Sequence, residues 1–281
     1  MTEPLLPADW KCRPVMLSPA GLLLEFHPDS NLAFDQLSEC ILAELVKQYG
    51  LIVFRGLPPI PEKTAFSDSC GRFGDLLEWS FGTVFEVVEH SEPGNYLFTS
   101  GSVPWHWDGA FAAQVPWLQC FQCREAPLED AGGETLFCDT NAAWNSLSPE
   151  TQDRWREIRI EYFTDKVAHY GGTIESPLIS QHPLTGRTTI RFAEPANSTT
   201  VPLNTPTLRV HGLSAAATET LVEELRRTLY DPALVYAHRW VQGDFLIADN
   251  HLLLHGRSPY QQGQPRRLWR VHVVSPAEHL R

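Results

Sequence analysis

A chain of 281 residues that is 43% hydrophobic can bury a sizeable core, as one large domain or two modest ones. Its net charge of -12 argues against nucleic acid and anionic membranes as partners, and no run approaches the ~20 apolar residues of a spanning helix. The opening MTEPLLPADWKCRP has no basic stretch followed by an apolar one, so it does not read as a secretory signal, and the expected compartment is the cytoplasm.

Residues 31–49 place Phe34, Leu37, Ile41, Leu45 and Val46 on one helical face, and Gly50 fits the stop. Leu51–Phe54 reads as a short buried strand. A second helix is expected over 61–73, ending at Gly74. Ser148-Pro149-Glu150 starts another, with Ser as cap and Pro at the first position. Ser214 caps a fourth, which runs to about Tyr230 and stops before Pro232. Strands are expected at Val84–Val88, Leu118–Cys123, Thr188–Phe192, Val235–Val241, Phe245–Ala248, Leu252–His255 and Leu268–Val274, each β-branched or aromatic-rich and bounded by turns. No linker divides the chain, so residues 1–281 read as one domain. The pattern suits a mainly β jelly roll with helices packed outside it, not a βαβ sheet. No G-x-G-x-x-G follows a strand and no P-loop is present, which leaves nucleotide chemistry without a site.

Six Cys occur in the chain, and without a signal free thiols are the default. Cys120-x-x-Cys123 has no second pair nearby. In a strand its two members face opposite sides, so they read as ordinary strand cysteines rather than zinc ligands.

The chemistry concentrates at Trp105-His106-Trp107-Asp108 and at His255, about 150 residues on. In an extended segment His106 and Asp108 share a face. With His255 they form a 2-His-1-carboxylate set, which holds one side of an octahedral Fe(II) and leaves the other open. The bland alternative is a hydrogen-bonded surface pair. His251, four residues before His255, is a rival ligand only if 250–255 is helical. Trp105 and Trp107 read as packing around His106. Further on, Arg266, Leu268 and Arg270 share one strand face and Arg267 and Trp269 the other. Two cations on an inward face are costly unless anions meet them. They lie ~13 Å apart, so two different carboxylates are the natural guess, with internal salt bridges as the alternative.

Taken together, WHWDG at 105–109, GGETLF at 132–137, GDFLIADN at 243–250, His255-Gly256-Arg257 and Arg266 to Arg270 resemble the taurine dioxygenase family of Fe(II)/2-oxoglutarate oxygenases, over about residues 50–275. The resemblance implies a double-stranded β-helix. It implies that His106, Asp108 and His255 bind iron, that Thr135 and Arg266 anchor 2-oxoglutarate, and that O2 is the oxidant. Arg270 would face the primary substrate's acid group. The stretches at 103–109, 168–170, 191–195, 236–240 and 247–257 are similar to the oxygenases of isonitrile biosynthesis, as in paerucumarin pathways. That closer likeness implies desaturation, with or without loss of the carboxylate, of a tyrosine or tryptophan whose amine has become an isocyano group through an isonitrile synthase. A hydroxylase of another carboxylate- or sulfonate-bearing substrate, and a jelly-roll binding protein, are the alternatives. His169, Arg191 and Lys166 sit in insertions that could cover the chamber and touch substrate, and Phe81 and Phe192 could form an aromatic wall; each could equally be ordinary surface or core.

Overall fold

The computed structural model describes residues 4, 6–112, 114–167 and 170–280. In chain order the first strands are β1 (Cys12–Met16), β2 (Leu22–Phe26), β3 (Leu51–Arg55), β4 (Gly74–Leu76), β5 (Val84–Val88), β6 (Val103–His106), β7 (Leu118–Glu125) and β8 (Thr135–Asp139). The excursion β9 (Arg159–Val167), β10 (Tyr170–Pro177), β11 (Ile179–Gln181), β12 (Thr188–Ile190) and β13 (Thr207–Val210) follows. The chain returns through β14 (Val235–His238), β15 (Phe245–Asp249), β16 (Leu253–Arg257) and β17 (Arg267–Pro276). The helices are α1 (Glu39–Tyr49), α2 (Lys63–Gly71), α3 (Thr140–Asn145), α4 (Pro149–Arg156) and α5 (Ala215–Leu229).

Two sheets enclose the site. The larger runs β1-β2-β3-β15-β7-β17-β4, with β5 also on β17, and the smaller runs β14-β8-β16-β6. This is the expected double-stranded β-helix. Period-two alternation explains how its strands serve two cores at once. Ile52 and Phe54 of β3, Phe245 and Ile247 of β15, and Trp269 and Val271 of β17 point outward and pack under α1 and α2. Val53, Leu246 and Leu268 point inward, where they meet Phe137 and Leu253 of the smaller sheet. Cys120 and Cys123 fall in these two different cores, and neither is in a disulfide.

The same parity fixes the polar interior. Leu268 is inward, so Arg270 and His272 are inward too; Phe121 and Cys123 are inward, so Gln119 is. A third core, built on Trp105, Trp107, Trp144, Trp155 and Leu225, fills the space between the smaller sheet and α3, α4 and α5. Gly50 ends α1 with φ 74, and a Cβ there would meet Leu252 Cδ2 at 2.7 Å. The turn into β3 therefore needs glycine for both conformation and space.

Helix starts at Ser148 and Ser214 are as expected, since their side chains accept from Thr151 N and Ala217 N. The expected helix over 31–49 is instead a 3-10 turn at Phe34–Gln36 followed by α1. The strand expected over 235–241 stops at His238, and that over 188–192 at Ile190. No helix among the described residues is long and apolar enough to cross a membrane.

Candidate active site

His106 and His255 are direct cross-strand partners of β6 and β16, with ring centroids 4.0 Å apart. β6 ends at His106, and Asp108 opens the turn that follows rather than continuing the strand. Its backbone is held instead by Asn250, whose Oδ1 accepts from Asp108 N at 2.9 Å while its Nδ2 donates to Asp108 O at 3.0 Å and Pro116 O at 2.8 Å. Asn250→Ala strands these buried groups, so it is expected to cost roughly 2 kcal/mol or more of unfolding free energy. Urea denaturation measures this, and a change within about 0.5 kcal/mol, the scatter of neutral surface changes, would remove the clamp role.

Ligand atoms of His106, Asp108 and His255 all lie within 4.8 Å of one another, the one such group found among the described residues. Three features make the set fit a metal. His106 Nδ1 lies 2.9 Å from Pro104 O, so it carries the proton and donates, which leaves the Nε2 lone pair free. Burial, together with neighbouring His106, pushes the His255 imidazole well below its ordinary range, and burial lowers that of His106, so both are neutral. Burial opposes the charge of Asp108, but the Arg270 guanidinium and the hydrogen bond from His272 outweigh it and hold the carboxyl well below its ordinary range. Neutral imidazoles and an ionised carboxylate are the states in which these groups bind a metal.

A cavity joins His106 and His255 to Thr135, Arg266 and Arg270. Arg266 is 4% exposed, and no carboxylate lies within ion-pair distance of it among the described residues. Burial and the nearby Arg257 push its guanidinium down to about 9. Its Nε donates to Gly133 O at 2.9 Å and its Nη2 to Thr135 Oγ1 at 3.2 Å. Trp240 Nε1 donates to the same hydroxyl at 2.9 Å. Both acceptor sites of Thr135 Oγ1 are thus taken, and its proton is left to donate into the cavity. An unpaired buried cation beside a free hydroxyl donor fits a carboxylate such as the distal end of 2-oxoglutarate.

Other expectations need correction. Arg270 is inward as expected, but its Nη1 contacts Asp108 Oδ2 at 2.7 Å, the internal salt bridge that stood as the alternative. Its guanidinium lies over the Phe85 ring at 4.9 Å, and its Nε has no partner. Arg191 does not line the cavity. It is buried behind the metal set, where it donates to Asn250 O at 2.7 Å and to His251 Nδ1 at 2.6 Å. Phe192 is fully buried in the third core with Trp105 and Trp107, because the segment after β12 turns into that core. The aromatic lining comes from Phe85 and Phe121 instead. Phe81 is 57% exposed, stacks on Trp79 and meets Phe85 at a tilt. Lys166 is exposed, and His169 lies outside the described residues. His251 belongs to Arg191; burial and that cation push it down to about 3.

Four residues at the site were not singled out from sequence: Gln119, Trp240, Asn250 and His272. Parity offered a signal for two of them. Gln119 and His272 fall on the inward faces of strands whose other inward members were already assigned, and a buried polar side chain there demands a partner.

The family description "Taurine catabolism dioxygenase TauD, TfdA family" matches residues 21–272. The chain is 47% identical to the 3-((Z)-2-isocyanoethenyl)-1H-indole synthase of Fischerella ambigua, over 92% of this chain and 94% of that protein. It is 37% identical to the tyrosine isonitrile desaturase of Erwinia amylovora, over 85% and 82% respectively. Its fold overlays the crystal structure of PvcB from Pseudomonas aeruginosa with a TM-score of 0.80 and 31% identity, covering 97% of this chain and 94% of that one. PvcB is described as an Fe, alpha-ketoglutarate dependent oxygenase from an isonitrile synthetic pathway. A chain that matches this family over most of its length, and carries a His-Asp-His set beside a buried arginine, belongs to the TauD, TfdA family and is an iron- and 2-oxoglutarate-dependent oxygenase.

Proposed function

We propose that the chain desaturates an isocyano derivative of an aromatic amino acid, the tryptophan-derived acid before the tyrosine-derived one, with loss of its carboxylate to give a vinyl isonitrile. The observation that supports this most is the 47% identity, over nearly the whole of both chains, to the isocyanoethenyl-indole synthase, against 37% to the tyrosine desaturase.

In this reading His106, Asp108 and His255 hold the iron, and Arg266 with Thr135 grips the distal carboxylate of 2-oxoglutarate. When bound, iron with 2-oxoglutarate and O2 supplies a two-electron oxidation, in which 2-oxoglutarate is split to succinate and CO2 and O2 ends partly as water. Arg270 then takes the substrate's acid group through the donors that Asp108 does not use. Phe85, beneath the Arg270 guanidinium, gives the aromatic ring a face to pack on. With the acid end fixed, the carbon next to the ring is the one presented to the metal. Its C–H bond is the weakest in reach, because the resulting radical delocalises into the ring. That C–H bond breaks, the bond to the carboxylate breaks with release of CO2, and the alkene forms between the two carbons. Position, rather than an added acid or base, selects the bond.

The test is mass spectrometry on the iron-loaded protein with 2-oxoglutarate and O2, offered each isocyano acid and each free amino acid side by side. The expected product is lighter than the isocyano acid by CO2 and two hydrogens, forms fastest from the indole acid, and is absent with the free amino acids. A product heavier by one oxygen, or equal turnover of the free amino acids, would overturn the desaturase reading and leave the family activity standing.

A further inference from the structure

The two oxygens of Asp108 have different surroundings. Oδ1 lies 3.8 Å from His106 Nε2 and has no protein donor within hydrogen-bond distance among the described residues, while Oδ2 lies 3.6 Å from His255 Nε2. Oδ2 accepts from Gln119 Nε2 at 2.6 Å, from Arg270 at 2.7 Å and from His272 Nε2 at 2.8 Å. A carboxylate oxygen offers about two lone-pair sites. Gln119 and His272 therefore suffice to fill Oδ2, and Arg270 is a third donor on an oxygen that needs two.

Their placement is not incidental. Gln119 of β7 and His272 of β17 are direct cross-strand partners on the inward face of the larger sheet. Each is 1% exposed. Nearby inward positions of these strands, Phe121 and Leu268, are apolar. Burying an amide and an imidazole side by side there is costly unless both find an acceptor, and the acceptor they share is Asp108 Oδ2. Gln119 Nε2 also lies 3.3 Å from Asn250 Oδ1, so the same amide ties the carboxylate to the residue that clamps the Asp108 backbone. Backbone and carboxylate are thus held from opposite ends, by the β15–β16 turn and by the larger sheet.

We propose that Gln119 and His272 are the positioning residues of the metal carboxylate. By filling Oδ2 they leave Oδ1 as the oxygen offered to the metal, and they keep the carboxylate in place when Arg270 turns its unused donors to the substrate's acid group. A carboxylate held this way takes one position on the metal instead of two, which keeps the remaining positions for the co-substrate and O2. The proposal rests on His106, Asp108 and His255 being the ligands.

Cobalt(II) tests it without turnover, because its visible absorption reports coordination number. The full chain is titrated anaerobically with Co(II), with affinity taken from chelator competition and folding followed by thermal melts. His272→Leu and Gln119→Met are each expected to weaken Co(II) binding about 10-fold or more and to change the intensity of the absorption at saturating metal. His272→Gln, which returns an N–H donor, should restore the wild-type spectrum and most of the affinity. Arg270→Ala should leave the spectrum unchanged. A purely structural role would lower the melting temperature and leave the Co(II)-saturated spectrum alone; that result in cooperatively melting variants overturns the proposal. So does His272→Gln behaving like His272→Leu, or Arg270→Ala disturbing the spectrum as much as the other two. Asp108→Ala separates the two levels. If it binds Co(II) like the wild type, the ligand assignment has failed. If it loses Co(II) while His272→Leu and Gln119→Met keep the wild-type spectrum, only the positioning role has failed.

Discussion

Alanine at His106, Asp108 or His255 is expected to abolish turnover, whereas alanine at His251 leaves the metal in place. The three ligand atoms cluster within 4.8 Å. Removing one leaves two groups that can neither hold the metal tightly nor orient it toward the cavity. His255→Ala takes away the imidazole that faces His106 across the strand pair, and Asp108→Ala takes away the only carboxylate of the set. His251 is a different case. Its Nδ1 is occupied by Arg191, and its ring packs against His182 on the far side of the Asp249–Asn250 turn. The measurement is iron content after anaerobic loading and desalting, read beside succinate release. Iron lost from His251→Ala but kept by His255→Ala would overturn the assignment.

Sequence alone carried the central strands and the metal set further than it carried the rest. The strands expected at 51–54, 84–88, 118–123 and 245–248 all start where expected, and those at 51–54 and 245–248 are buried, continuous apolar runs. The excursion from β9 to β13 was less legible. β9 mixes apolar with charged residues, β10 carries two glycines near its start, and both lie partly exposed, so their pairing depends on the third core beneath them more than on local preference. β6 is only four residues long and contains Pro104, which hid it as a strand.

At the site, the candidate ligands were readable because they sit in short local patterns. What positions them was not. Gln119 reaches His272 through sheet register, across about 150 residues of chain. Asn250 grips Asp108 through a turn whose shape only the fold defines. Arg191 and Phe192 lie away from the cavity for the same reason: their segment could be placed near the chamber from sequence, but on which side of the metal strands it lay could not. The direction of Arg270 followed from parity, whereas its contact with Asp108 depends on where the turn after β6 leaves that carboxylate.

Arg266→Ala is expected to raise the Michaelis constant for 2-oxoglutarate ~10- to 100-fold or more, while that of the primary substrate changes little. The size follows from the setting, because a charge-assisted contact to a carboxylate in a closed site contributes a few kcal/mol. Arg266 has the features of a site awaiting an anion. It is buried, it lies within the cavity shared with His106 and His255, and its hydrogen-bond partners among the described residues are a backbone carbonyl and a hydroxyl rather than a carboxylate. Burying such a cation unpaired is unfavourable, and a bound dianion relieves that cost, which is why occupancy should depend steeply on this one side chain. Thr135→Val should act in the same direction but less, since it removes one neutral hydroxyl donor while the guanidinium stays. Arg266→Lys should fall between wild type and alanine, keeping the charge but losing the planar fork. Initial rates against 2-oxoglutarate concentration, with the primary substrate saturating, read all three. An Arg266→Ala protein with unchanged 2-oxoglutarate dependence would place the co-substrate's distal carboxylate elsewhere. Arg257, the neighbouring buried guanidinium, would not replace it, because its Nη atoms are committed to the carbonyls of Leu97, Thr99 and Gly101.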